Sequence, residues 1–327
     1  MEGEAIHRLY PLLAHLADGR FHSGESLGKA LGVSRAAVWK KIRAIGALGL
    51  EVQAVNGKGY RLRQPLELLE RDRILSVLDA STRALLDGLE ILPEVDSTNR
   101  YLMTRSRARI ACFAEYQQAG RGRRGRPWLS PFAANLYLSL SWRFDGPATS
   151  LSGLSLAVGV WIAEALHDAG IGEGIQLKWP NDILHRNRKL GGVLVEMKGE
   201  AEGPCLAVIG VGLNLDMRGH DTGSIDQPWT DLHTISKRRP PRNRLAGLLL
   251  HHLLKGIVEY ERHGLTPVHH RWNRLDCMAG KPVSLHLPSE TLSGIAGGID
   301  EKGALLLRTT NGVRTIHSGE VTLRQRS

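Results

Sequence analysis

Apolar residues near the start of the chain recur at helical spacing. In "AIHRLYPLLAHLAD", Ile6, Leu9, Leu12, Leu13 and Leu16 fall on one face. "FHSGESLGKALGVSRAAVWKKIRAIGALGLEV" then predicts two short helices. Ser23 caps the first, which runs through Leu31, and Gly32 ends it because glycine is free to take a positive φ. Ser34 caps the second. There Val38, Ile42 and Ile45 share a face, and Arg35, Lys40, Lys41 and Arg43 lie largely away from it. In "LEVQAVNGKGYRLRQP" the period changes to two. Val52 and Ala54, an Asn56-Gly57 turn, then Tyr60 and Leu62 predict a β-hairpin carrying Lys58, Arg61 and Arg63. Two helices around a Gly turn followed by a hairpin make a winged helix-turn-helix, whose second helix and wing can meet DNA. Its candidate DNA contacts are Ser34, Arg35, Lys40, Lys41, Arg43 and Lys58. The alternative is a helical protein-docking module with a solvated charged face. Cap, turn, basic helix and basic wing agree with one another, which favours DNA.

After "RQPLELL" the pattern changes again. "ARIACFAEYQ" and Leu136–Phe144 read as strands, and "AVIGVGLNLD" as a buried strand ending on the polar Asn214. "RNRLAGLLLHHLLKGIVEYERHG" is an amphipathic helix. From about Cys277 short alternating strands follow, with turns at Glu301–Gly303 and Asn311-Gly312, as in a small SH3-like β-barrel. The expected units are 1–65, 66–275 and 276–327, in an α/β chain of the α+β kind.

Composition narrows the function classes. The chain has 327 residues, 42% of them hydrophobic and 23% charged, as in a soluble protein of several domains. A net charge of +10 raises the expectation of nucleic acid or phosphate-bearing ligands. Three scattered cysteines and no C-x-x-C exclude a zinc-ribbon or thiol-redox motif and fit a reducing compartment. "MEGEAIHRLY" has no apolar core of a signal peptide, and the apolar runs are too short or too interrupted to span a bilayer. A cytoplasmic protein with no membrane partner is expected. The pairs His251-His252 and His269-His270 suit chelation poorly, because adjacent helical residues diverge by about 100°.

The chemistry concentrates in "QQAGRGRRGRPW". Gly120, Gly122 and Gly125 have the G-x-G-x-x-G spacing of dinucleotide-binding loops. Pro127 and Pro131 leave no room for the crossover helix that such a loop opens, so Asp145 cannot be placed on a ribose. What remains is a flexible loop with Arg121, Arg123, Arg124 and Arg126. Glycines let backbone N–H groups approach an anion, and guanidinium forks suit phosphate or carboxylate. Four repelling cations should leave the loop mobile until an anion orders it. A basic solvated or RNA-contacting loop is the alternative. Ser97, Thr98 and Asn99 in "VDSTNRYL" stand where a helix begins, and Ser97 or Thr98 should cap it. "LKWPNDILHRNRKLGGVLVEM" places Asn181 and Asp182 in a turn between strands, with Lys189 and Gly191-Gly192 opening another. "NLDMRGHDTGSIDQPW" looks like a second mobile loop holding Arg218 and Trp229.

"STN", "AEYQQAGRGRRGR", "SPFAANLYLSL", "KWPNDILHRNRKLGGVLVE" and "GVGLNL" together resemble the biotin–protein ligases, in this order and across essentially the whole chain. The winged helix resembles their bifunctional bacterial form, ligase and biotin operon repressor in one. One departure is Gly191 before Gly192, where some relatives carry Ala-Gly, and little effect is expected. The resemblance implies a central ligase domain with a mixed sheet. It also implies a two-step reaction: biotin and ATP give biotinyl-5′-adenylate and pyrophosphate, and a carrier lysine then displaces AMP. Lys189, Arg121 and Arg123 would be catalytic, neutralising the charge that grows as two anions meet. Ser97, Thr98, Asn99, Gln117, Arg121, Gly122, Arg123 and Lys189 would hold biotin. Asn181, Asp182, Asn214, Arg218 and Trp229 would hold ATP, with Trp229 on adenine or merely packed on the next helix, and Asp182 on Mg²⁺. The C-terminal unit would cap the site, with Glu320 and Arg324 near the nucleotide or carrier unless they are plain surface charges.

The implied partners are the biotin carboxyl carrier domain of acetyl-CoA carboxylase, operator DNA, and a second copy of the chain once biotinyl-adenylate is bound. Two other readings remain. One is a lipoyl or octanoyl transferase on the same fold, disfavoured by the pairing of "GRGRRG" with "KWPND". The other is a non-catalytic biotin-sensing repressor, disfavoured by the presence of Lys189 and the arginines.

Overall fold

The computed structural model describes residues 5–199, 202–238, 240–287 and 290–323. Its first unit comprises α1 (Ala5–Leu16), α2 (Gly24–Leu31), α3 (Arg35–Ile45) and the antiparallel hairpin β1 (Val52–Val55) and β2 (Gly59–Leu62). The local chemistry behaves as the sequence requires. Ser23 Oγ accepts from the Ser26 amide at 3.0 Å, and Ser34 Oγ from that of Ala37 at 3.2 Å. Between the two helices Gly32 takes φ 65°, which a Cβ would disfavour. Val38, Ile42 and Ile45 pack on Leu9, Leu12, Leu13 and Leu16.

That core does not stop at the hairpin. It continues into Phe132 and Ala133, with the Tyr10 ring edge-on to Phe132 at a centroid distance of 6.4 Å. Phe132 and Ala133 belong to the segment that carries the arginine loop, so the winged helix leans on the ligand loop's own support.

Next come α4 (Arg71–Leu75), α5 (Ala80–Arg83), β3 (Gly88–Leu92), α6 (Thr98–Arg105), β4 (Ile110–Ala114) and β5 (Asn135–Phe144). They are followed by α7 (Leu154–Asp168), β6 (Ile175–Lys178), β7 (Asp182–His185), β8 (Arg188–Gly199), β9 (Cys205–Asn214), α8 (Leu232–Ser236), α9 (Arg242–His263) and α10 (Thr266–Leu275). The strands form a seven-stranded mixed sheet in the order β3-β4-β5-β9-β8-β7-β6. Only the β3–β4 pair is parallel.

Strand β5 shows how sequence assigns the faces. Leu136, Leu138 and Leu140 join the core shared with α7 and α9, while Tyr137, Ser139 and Ser141 alternate onto the other face. Helix α7 is apolar nearly all round because it is the core helix beneath the sheet. Among the described residues no helix is long and apolar enough to cross a membrane.

A buried ion pair fastens the segment after the hairpin. Arg242 and Glu115, 2% and 0% exposed, are paired at the start of α9. Glu115 also accepts from the Leu69 amide at 2.6 Å, and Arg242 Nη2 donates to the Asn135 carbonyl at 2.9 Å. Glu67 accepts from the Arg242 amide at 2.7 Å, satisfying one of the open N–H groups at the helix end.

The C-terminal unit comprises β10 (Pro282–His286), β11 (Thr291–Ile299), β12 (Leu305–Thr309), β13 (Gly312–Ile316) and β14 (Glu320–Leu323). It is an antiparallel sheet in the order β13-β12-β11-β10-β14, bulged between Ala296 and Ile299. Two of its turns, β11 to β12 and β12 to β13, fall where the sequence marks them.

Candidate active site

One cavity of about 680 Å³ opens on the face of the sheet opposite α7. Ser97, Thr98, Asn99, Gln117, Arg121, Gly122, Arg123, Asn181, Asp182, Lys189, Asn214 and Trp229 all line it. Residues from five separate stretches of chain thus converge on one space, of the size and mixed polarity of a ligand site. Arg218 does not line it. Its guanidinium is held bidentately by Asp216, with both N–O distances 2.8 Å.

The floor is neutral and hydrogen-bonded. Ser97 occupies the N-cap position of α6, yet its side chain makes no capping bond, nor does Thr98 take that role. Instead the Thr98 amide donates to Gln117 Oε1 at 2.9 Å, and Gln117 Nε2 donates to Ser130 Oγ at 3.0 Å. Ser139 Oγ lies 2.6 Å from Asn99 Oδ1 and 2.7 Å from Thr98 Oγ1. Asn99 spends both amide hydrogens on the Leu194 carbonyl at 3.1 Å and Glu196 Oε2 at 2.8 Å. Asn99 therefore shapes the floor from within it.

The wall is charged. Lys189 Nζ lies 2.8 Å from Asp182 Oδ1, and Lys178 Nζ lies 3.8 Å from Asp182 Oδ2. All three side chains are less than a fifth exposed, so water screens them little. In the β7–β8 hairpin Asp182 stands opposite Gly192 and Lys189 opposite Leu184, with a register shift between Ile183 and Leu184, so the pair meets diagonally across the two strands. Asn181 Nδ2 fixes the preceding turn through the Val193 carbonyl at 2.7 Å, and the Trp179 indole donates to the Gly303 carbonyl of the C-terminal unit at 3.0 Å. Gly319 and Val321 reach the cavity from that unit. Arg324 and the Glu320 side chain lie outside the described residues.

The arginine loop is a folded turn in this structure. Gly122 N donates to the Arg126 carbonyl at 2.8 Å and Trp128 N to that of Gly120 at 2.8 Å. Arg124 and Gly125 both take positive φ at its tip. Arg121 leans on Glu196 at 3.5 Å, which offsets part of the repulsion among the arginines. The second loop is tied at its ends. Asn214 Nδ2 donates to the Thr230 carbonyl at 3.1 Å, and Trp229 pairs through its backbone with Lys189. His220 in that loop meets Gly49, just beyond α3; a Cβ on Gly49 would stand 2.9 Å from the ring. Burial holds the His220 imidazole below its usual pKa, with Asp216 pulling the other way.

Three residues in or next to the cavity carry roles that the motifs do not announce. Trp128 lies on Gly212, where a Cβ would stand 2.5 Å from the indole, and its buried N–H finds no partner among the described residues. Ser139 was legible as a polar residue inside the buried strand "NLYLSLSW". Gly191 matters more than expected: an added Cβ would sit 2.8 Å from the Gly212 carbonyl, so alanine there needs the backbone to shift.

Three family models match, each to one unit of the chain. They are an HTH domain over residues 8–61, the biotin/lipoate A/B protein ligase family over 92–214, and the biotin protein ligase C-terminal domain over 279–324. The bifunctional ligase/repressor BirA of Salmonella typhimurium is 45% identical over 317 residues, covering 96% of both chains. BirA of Bacillus subtilis is 32% identical over 315 residues, covering 94% of this chain and 95% of its own. Among solved structures, the Aquifex aeolicus biotin protein ligase in complex with biotin and ATP superposes with a TM-score of 0.63 at 28% identity, covering 74% of this chain and all of that one. With matching domains in matching order along nearly its full length, the chain belongs to the biotin protein ligases, in the bifunctional ligase/repressor form that carries a helix-turn-helix domain.

Proposed function

We propose that the cavity joins biotin to ATP and then hands biotin to a lysine of the biotin carboxyl carrier domain of acetyl-CoA carboxylase. The winged helix uses the same ligand state to repress biotin genes. The observation that carries this reading is a neutral floor beside a cationic wall in one cavity. The uncharged ureido ring suits Ser97, Thr98 and Gln117, and the two anionic reactants suit Lys189, Arg121 and Arg123. A biotin carboxylate oxygen attacks the α-phosphorus, and pyrophosphate leaves with the bonding pair. The carrier amine then attacks the acyl carbon of the mixed anhydride, AMP leaves, and the nitrogen loses its proton. Lys189 can exchange Asp182 for the carboxylate and α-phosphate as charge builds between them. The two loops exclude water from the labile anhydride.

Asn181, Asp182, Asn214 and Trp229 serve the nucleotide. Asp182 would hold Mg²⁺: a single carboxylate fits an ion that keeps its waters and arrives on the triphosphate, whose charge it neutralises. Functionally, the boundaries fall at 1–65 for DNA, 66–275 for ligation and 276–327 for the cap. The protein works in the cytoplasm, where carrier and operator are found together. It dimerises when it holds the adenylate, since two recognition helices are needed for two symmetric half-sites. Constant mass in sedimentation with biotin and ATP, alongside rising DNA affinity, would remove the dimer from this scheme.

Incubation of the full chain with biotin, ATP and a purified carrier domain tests the reading by mass spectrometry. One biotinyl adduct on one lysine is expected. A carrier that accepts lipoate or octanoate but not biotin would move the chain to acyl transfer.

A further inference from the structure

Trp39 is 47% exposed on α3, one of few large apolar side chains the described residues leave in solvent. Val38, Ile42 and Ile45 occupy the buried face of that helix. Arg35, Ala36, Trp39, Lys40, Arg43 and Ala44 are all exposed and share the opposite face. Lys41 is not among them, because its ammonium donates to the Arg8 carbonyl of α1. The Arg43 guanidinium lies over the Trp39 ring, 4.9 Å from its centroid.

This face has a definite chemical character. Cations stand at both ends and beside the ring, alanines on either side allow a close approach, and a flat apolar surface occupies the middle. A solvated helix face gains nothing from a tryptophan there. A protein-docking surface would be expected to gather several apolar residues, not one among three cations. The floor of a DNA major groove offers what this face lacks: phosphates along both rims, base-edge acceptors, and thymine methyls as apolar patches. Trp39 sits one turn beyond the Ser34 cap, in the N-terminal part of the helix that enters the groove in such domains.

We propose that Trp39 and Arg43 form the base-reading pair of the recognition helix. The Trp39 ring packs on a thymine methyl, and it holds the Arg43 guanidinium flat for the O6 and N7 acceptors of a neighbouring guanine. Arg35 and Lys40 contact phosphate and carry little sequence information. The inference rests on DNA binding by the winged helix, and it names which residue reads sequence.

The test begins with the full chain, biotin and ATP, and selection from a pool of randomised duplexes. The selected duplex is then titrated with wild type and Trp39→Ala, with each thymine replaced in turn by uracil, which removes the methyl alone. For the wild type, one thymine per half-site is expected to lose about fourfold in affinity on replacement, the worth of one buried carbon group. Trp39→Ala should be indifferent to that replacement. It should bind the selected duplex about tenfold or more weakly, yet match the wild type on random-sequence DNA and in its salt dependence. Biotin transfer should be unchanged, showing that the variant is folded.

Equal binding of the selected duplex by wild type and Trp39→Ala would overturn the proposal. So would an equal loss on selected and random DNA, which would make Trp39 a backbone contact. Enrichment of no sequence by the wild type would instead refute DNA reading by the winged helix itself.

Discussion

Replacing Lys189 by alanine should stop adenylate formation while leaving biotin binding nearly intact. The ammonium lies 2.8 Å from Asp182 and is 18% exposed, so it acts where solvent does little screening. One preorganised donor aimed at charge that develops in the transition state is worth about 2.7–4 kcal/mol, a loss of roughly 10²–10³ in kcat. With biotin's ureido end on the neutral floor, as proposed, its Kd should move by less than about one decade, or 1.4 kcal/mol. The fold should survive, because Lys178 remains 3.8 Å from the Asp182 carboxylate and keeps it from being stranded. Lys189→Met controls for the stem, which passes near Trp128; the ammonium is 5.6 Å from that ring's centroid. Single-turnover quench experiments give the adenylation rate, and calorimetry gives the biotin Kd. Equal losses in rate and affinity would show that Lys189 merely binds substrate, and would refute its assignment to the transition state.

Three further outcomes follow from the geometry. Arg123→Gly should make adenylate but release it, raising free biotinyl-adenylate in solution and random lysine labelling; normal retention would remove the loop from that role. Deleting residues 1–65 should abolish operator binding and leave residual ligase activity, with faster loss of bound ligand, because Phe132 and Ala133 lose their cover; a truncated chain that still binds operator would place the DNA site elsewhere. Arg242→Leu should cost about 3–5 kcal/mol in chemical denaturation, since Glu115 is left buried without its partner; a loss under about 1 kcal/mol would mean that the pair contributes little.

The sequence made some of this legible and hid the rest for physical reasons. Caps and turns are local, so Ser23, Gly32, Ser34 and the Asn56-Gly57 turn could be read directly. The strand over Leu136–Phe144 was visible in its apolar run, and it forms as β5 over Asn135–Phe144. The arginine loop was recognisable by composition, but its folded turn was not, because the Gly122–Arg126 and Gly120–Trp128 backbone bonds leave no trace in residue type. Capping by Ser97 or Thr98 is expected and is absent; a residue from another stretch of chain, Gln117, accepts from the Thr98 amide at this helix end. Arg242 with Glu115, and Asn99 with Glu196, join residues far apart in the chain. A charged residue closing an apolar strand, as Glu115 does in "ACFAEYQ", is the one hint of such a partner. The seat of the winged helix on Phe132 is likewise tertiary, and no local pattern announces it.

Exchange of labelled pyrophosphate into ATP by the purified chain tests the central claim most directly. The reaction runs backward only if this protein forms the acyl-adenylate itself. The account predicts exchange that requires biotin, fails with lipoate or octanoate in its place, and falls by roughly 10²–10³ in Lys189→Ala. Exchange without biotin, or supported equally by lipoate, or undiminished in Lys189→Ala, would contradict it.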